Sequence, residues 1–151
     1  MCLVLYAAGP KSLPAIEWNE VAPAFYVREV DASDVVRTHF DFPHVYELGS
    51  HEGCGCGFGY RDYSASPEDG EPYRRSAAAL SQYLCEARRQ GPVQVFASWS
   101  GEEGQPHGER ALLTPELAAS TEHWSDVQAQ ASSNEVFAFN FETDGATRET
   151  A

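Results

Sequence analysis

A histidine and two cysteines lie within six residues of one another in a glycine-rich segment. His51 precedes Cys54 by three positions, Cys54 precedes Cys56 by two, and glycine takes every second position from 53 to 59. Thiolate sulfur and imidazole nitrogen are ligands that zinc and other borderline metals prefer in proteins. The spacing therefore predicts a transition-metal site in this segment, most simply a zinc site.

The glycines give the segment two interpretations. If residues 53–60 are extended, the glycines lie on one face and Cys54 and Cys56 on the other, with their Cα atoms about 6.6 Å apart. That separation is near the upper limit of disulfide geometry, whereas a bridging metal fills the gap with less strain. If the segment is a loop, the glycines allow it to wrap a metal. Because the glycine positions have no side chain, another element can approach the backbone closely there.

A fourth ligand has to come from elsewhere in the chain. Cys2 is the preferred candidate because the strand that it begins is expected to neighbour the glycine-rich segment, and the alternatives are His39, His44 and Cys85. Three protein ligands with an open position would resemble a catalytic metal centre. Glu52 is the candidate base in such a centre.

Other interpretations of the cysteines need no metal. Cys54 and Cys56 are small side chains that can pack as buried hydrophobes, or act as redox thiols whose mutual disulfide would be easily reduced. Cys2 follows Met1, and over these two residues the chain resembles the N-terminal-nucleophile amidohydrolases. The resemblance implies that, once Met1 is removed, the α-amine of Cys2 activates its own thiol as an enzyme nucleophile.

The charge balance limits the partners. The chain has 10 Lys and Arg against 23 Asp and Glu, for a net charge of −13. This charge disfavours nucleic-acid binding and permits attraction to a cation or to a basic protein partner, as in many small bacterial immunity proteins. Trp18 and Trp124 lie in polar stretches and are candidates for such an interface. His107 and His123 are also in polar stretches and are expected on the solvated surface.

Other features favour a cytoplasmic bacterial protein. No apolar run has the length of a membrane span, and the first ten residues lack the charged start and long apolar stretch of a signal peptide. Without secretion, the cysteines are better interpreted as thiols, metal ligands or redox groups than as structural disulfides. A single lysine, with many arginines, alanines and glycines, is typical of a GC-rich genome.

The hydrophobic pattern predicts one α+β domain over residues 1–151, with a polar tail from about residue 144. The main helix, about residues 72–90, has apolar residues at spacings of four and three and ends before a Gly-Pro pair. A second short helix is expected after Thr114, at about 115–120. The expected architecture is a single mostly antiparallel sheet of four to six strands with the main helix packed on one face. The strands are placed at 2–8, 25–30, 44–48, 93–100 and 135–142, and the glycine-rich segment is a further candidate.

Overall fold

A computed structural model describes residues 2–19, 25–61, 67–130 and 134–141. Within these ranges six strands form one mixed sheet, flanked by three α-helices and three 3₁₀ turns. The strands are β1 (Leu3–Gly9), β2 (Tyr26–Glu29), β3 (His44–Gly49), β4 (Val93–Trp99), β5 (Ala111–Leu113) and β6 (Glu135–Phe139); the α-helices are α1 (Glu71–Gln90), α2 (Pro115–Ala118) and α3 (Thr121–Ala129); the 3₁₀ turns are Val35–His39, Gly55–Phe58 and Pro67–Gly70.

The sheet confirms the predicted α+β architecture. The strand order is β2-β3-β1-β4-β6-β5, and every neighbouring pair is antiparallel except β5 and β6, which are parallel. The parallel pair follows from the connection, because α2 and α3 carry the chain back across the sheet between the two strands. The predicted polar tail lies outside the described residues.

The main core lies between the sheet and α1. The apolar stripe that predicted α1 is buried, with Leu80 and Leu84 fully shielded from solvent. Leu5 in β1 and Val95 in β4 belong to the same cluster on the facing side of the sheet. The helix ends at Gly91, which has a φ of 156° that favours glycine. None of the helices in the described part of the chain is long and apolar enough to cross a bilayer.

The opposite face of the sheet is also covered. Val4, Tyr6 and Phe96 form a second buried cluster there with Val36 and Phe40, which come from the 3₁₀ turn Val35–His39 and the residue after it. Strand β1 is therefore buried on both faces, which explains why its sequence is a continuous apolar run instead of an alternating one.

Helix α3 was not expected from the sequence, and it corrects two predictions. Ser120 caps it by accepting a hydrogen bond from the backbone N–H of His123. Trp124 is completely buried and its indole N–H donates to the carbonyl of Ala118 at 2.8 Å, so the predicted interface role of this tryptophan is wrong. The His123 ring packs against Trp124 and Phe137 and is half-buried, not solvated. The helix has only two buried apolar residues, Trp124 and Val127, and the polar residues around them obscure its helical period in the sequence.

Candidate metal centre

The loop that carries Cys54 is a tight turn immediately after β3. The Ser50 hydroxyl donates to the carbonyl of Cys54 at 2.5 Å, and the backbone N–H of Ser50 donates to the same carbonyl at 2.9 Å. The N–H of Gly53 returns a bond to the Ser50 carbonyl at 2.9 Å. Gly53 has a φ of 81°, a left-handed conformation that side chains rarely adopt. These contacts fix the position of Cys54 relative to the end of the sheet.

The glycine-rich segment then forms a 3₁₀ turn, Gly55–Phe58, instead of the extended ladder that was one of the two expectations. The predicted close approach by other elements is confirmed. A Cβ on Gly55 would lie 2.7 Å from the Leu3 carbonyl oxygen in β1, and one on Gly59 would lie 2.8 Å from the Ser125 nitrogen in α3. The turn therefore fits between β1 and α3 because these positions have no side chain.

This packing brings three of the four cysteines together. The Sγ atoms of Cys2, Cys54 and Cys56 all lie within 4.8 Å of one another, and we call these three residues the thiol cluster. Cys2 is exposed, while Cys54 and Cys56 are half-buried, so the cluster opens to solvent on the Cys2 side. Cys85 is a free, half-buried cysteine in α1 and is not a member of the group.

The Cys56 sulfur is held from two elements. It accepts a hydrogen bond from the backbone N–H of Leu3, with an N to Sγ distance of 3.2 Å, and one from the side-chain amide of Gln128, with an Nε2 to Sγ distance of 3.6 Å. Such N–H donors orient a sulfur ligand and support the charge of a metal-bound thiolate. Gln128 was not predicted from the sequence because α3 was not predicted. The three-residue spacing of Trp124 and Val127 was the signal that could have indicated this helix.

The Cys54 thiol is perturbed by its surroundings. Burial, followed by the neighbouring Cys56 and Cys2 side chains, raises its pKa to about 12. Cys54 is therefore a protonated thiol at neutral pH when no cation is nearby. A metal ion would have to displace this proton, so its affinity should increase with pH.

His51 lies outside the thiol cluster. Its Nδ1 is 2.8 Å from the hydroxyl oxygen of Ser76 in α1, and its backbone N–H donates to the same oxygen at 3.1 Å. Burial lowers the pKa of the imidazole. Glu52, the candidate base, accepts a hydrogen bond from the Tyr73 hydroxyl at 3.0 Å. These contacts anchor the loop to α1, and a four-ligand site that includes His51 stays a prediction.

The alternative fourth ligands lie elsewhere in the fold. His39 is buried on the opposite face of the sheet, stacked on Phe96, with its Nδ1 2.8 Å from Nδ1 of His107. His44 pairs with Gly9, at the other end of β1 from the thiol cluster. Of the candidates for a fourth ligand, Cys2 is the one that the fold brings to Cys54 and Cys56.

Comparisons with known proteins do not assign the chain to a family. No protein-family model, no curated protein and no solved structure matches it.

Proposed function

We propose that the protein binds a thiophilic transition metal, zinc in the simplest case, through Cys2, Cys54 and Cys56. The convergence of the three Sγ atoms within 4.8 Å carries this proposal. Zinc–thiolate bonds are about 2.3 Å long, so three sulfurs around one tetrahedral ion are separated by a little under 4 Å. Small side-chain adjustments would bring the cluster to that geometry.

The exposed side of the cluster leaves a coordination position for a fourth ligand. Cys2 borders solvent, and in the described part of the chain the group contains no carboxylate or imidazole. Zinc with three protein ligands and an open position binds water or a small ligand there and can activate it. For His51 to become the fourth ligand instead, its Nε2 would have to reach the metal, because its Nδ1 is hydrogen-bonded to the Ser76 hydroxyl.

Zinc content tests the proposal directly. Protein purified without chelator should contain about one zinc per chain by elemental analysis. Cys54→Ser should lower that ratio at least tenfold, whereas Cys85→Ser, a matched cysteine outside the group, should leave it unchanged. His51→Ala separates the ligand sets, because a three-thiol site keeps its zinc in this variant.

Folding stability gives a second measurement of the same site. Zinc at 1,000 times its dissociation constant stabilises the fold by about 4 kcal/mol if it does not bind the unfolded chain. Adding a chelator should therefore lower the melting temperature of the wild type and of Cys85→Ser, but not that of Cys54→Ser. Wild-type protein that contains no metal and shows no zinc uptake in a titration would overturn the proposal.

The acidic surface supports a basic protein partner as a second proposal. Trp18 is 47% exposed and borders a groove with Ile16, Tyr26 and Arg28, so it can serve the predicted interface. A salt-sensitive complex with a basic protein, weakened by Trp18→Ala, is the expected result of an affinity purification. Recovery of no basic protein at low salt would count against this partner.

A further inference from the structure

The thiol cluster has a geometry suited to reversible oxidation as well as to metal binding. All four cysteines are free in the structure. A disulfide bond is about 2.05 Å long, so sulfur atoms that begin no more than 4.8 Å apart have to close by less than 3 Å. Turning side chains about their χ1 angles moves sulfur atoms over this range.

We propose that Cys2 and Cys54 form a reversible disulfide when the protein meets hydrogen peroxide. Cys2 is the exposed member of the cluster and is therefore the thiol that peroxide reaches first. The Sγ atom of Cys54 lies within 4.8 Å of the Cys2 Sγ atom, so Cys54 is the resolving thiol. Cys56 is the least free to move, because its sulfur accepts N–H bonds from Leu3 and Gln128.

The chemistry proceeds in two balanced steps. In the first, the Cys2 thiol attacks peroxide, the O–O bond breaks, and the products are a Cys2 sulfenic acid and one water. In the second, the Cys54 sulfur attacks the Cys2 sulfur, the S–O bond breaks, and the products are the Cys2–Cys54 disulfide and a second water. The two thiols lose two electrons to peroxide, and a small-molecule thiol reverses the reaction by exchange.

The oxidation has a consequence for the metal, and this part rests on the proposed function. A disulfide removes two of the three sulfur ligands at once, leaving Cys56 alone. Oxidation should therefore release the bound zinc, and bound zinc should slow oxidation because it occupies the reacting sulfurs. The amount of zinc bound to the thiol cluster would then fall as the concentration of hydrogen peroxide rises.

Trypsin provides a sharp test, because the two cysteines fall in different tryptic peptides. One peptide ends at Lys11 and contains Cys2; the other spans residues 38–61 and contains both Cys54 and Cys56. After treatment with peroxide, alkylation and digestion without reductant, the two peptides should be found cross-linked. A disulfide between Cys54 and Cys56 would instead stay within one peptide, which carries no alkyl group and is 2 mass units lighter than the unalkylated dithiol peptide.

The variants then identify the partner of Cys2. Cys56→Ser and Cys85→Ser should keep the cross-link, whereas Cys54→Ser should reduce it at least tenfold and leave Cys2 in overoxidised forms. A bond confined to residues 38–61, or peroxide-treated wild type that retains all its thiols, would overturn the proposal. If a variant does not fold, fragmentation of the cross-linked wild-type peptides between Cys54 and Cys56 identifies the linked sulfur, and a bond from Cys2 to Cys56 would also overturn the proposal.

The same experiment keeps the two proposals distinguishable. Chelator-treated protein tests the disulfide without any metal, since the two steps involve sulfur and peroxide alone. Zinc-loaded protein tests the coupling, with about one zinc expected in solution for each disulfide formed. A cross-link in protein that never binds zinc would overturn the metal site and leave the disulfide standing; zinc binding without a cross-link would do the reverse.

Discussion

Replacement of Gly55 by alanine tests whether the close approach of the 3₁₀ turn to β1 assembles the thiol cluster. The added Cβ would lie 2.7 Å from the Leu3 carbonyl oxygen and 3.2 Å from the Leu3 carbonyl carbon. Leu3 belongs to the central strand β1 and pairs with Trp99 of β4, so its carbonyl resists displacement. Ordinary contact begins at 3.4 Å, so the turn has to retreat by about 0.7 Å.

The expected cost follows from that displacement. Overpacking in a buried contact costs about 1–3 kcal/mol, while alanine returns about 0.4–1 kcal/mol by restricting the unfolded chain. A net loss of about 1–2 kcal/mol lowers the melting temperature of a chain of this size by about 2–8 °C. The retreat also lengthens the hydrogen bond from the Leu3 N–H to the Cys56 sulfur. Loss of such a supporting bond typically weakens metal binding about 10–100-fold.

Two assays follow the two consequences separately. Denaturant unfolding, monitored by tryptophan fluorescence, gives the free energy of unfolding, and competition with a chromophoric chelator gives the zinc affinity. Gly108→Ala is the matched control, because a Cβ there would meet nothing within 4 Å and the residue has no left-handed backbone. If Gly55→Ala unfolds and binds zinc as Gly108→Ala does, the close approach of the turn does not determine the site.

Two further predictions concern the rest of the fold. Burial, followed by the charges of His39 and Arg110, lowers the pKa of His107 below 6.5, so the stability linked to its neutral form is present above that pH and is lost as the pH falls through the lowered pKa. His107→Asn should therefore flatten the acid side of a plot of melting temperature against pH; an unchanged slope would contradict the assignment. Trp124→Ala should cost about 3–5 kcal/mol in urea unfolding followed by circular dichroism, because it empties a fully buried site. Exposed Trp18→Ala should stay within about 0.5 kcal/mol of wild type, and equal effects of the two would show that Trp124 is not a core residue.

The periodicity of the sequence was sufficient for the larger elements. Apolar residues at spacings of three and four predicted α1, whose bounds are Glu71–Gln90, and short apolar runs predicted the strands that form most of the sheet. These patterns arise because a helix or strand buries one face or both, and the spacing of its apolar residues shows this directly in the sequence. The sequence also indicated that Cys54 and Cys56 lie in a segment that other elements approach closely, because glycine is the residue that permits such contact.

The periodicity of the sequence does not reveal short elements or contacts between distant residues. Strand β5 has three residues, too few for a period to appear, and α3 has a polar composition around two buried side chains. Gln128 reaches the Cys56 sulfur across 72 positions of sequence, and no local pattern encodes that pairing.

By itself the sequence determined which atoms are available for chemistry: two sulfurs and one imidazole near a run of glycines, and a third sulfur at Cys2, in a chain of net charge −13. The tertiary structure decided which of them meet. The 3₁₀ turn lies against β1 because Gly55 has no side chain, and that contact brings Cys2 to Cys54 and Cys56. The His51 imidazole is instead hydrogen-bonded to Ser76. Sequence spacing fixes only how far apart two ligands can be; the packing of distant elements fixes whether they converge.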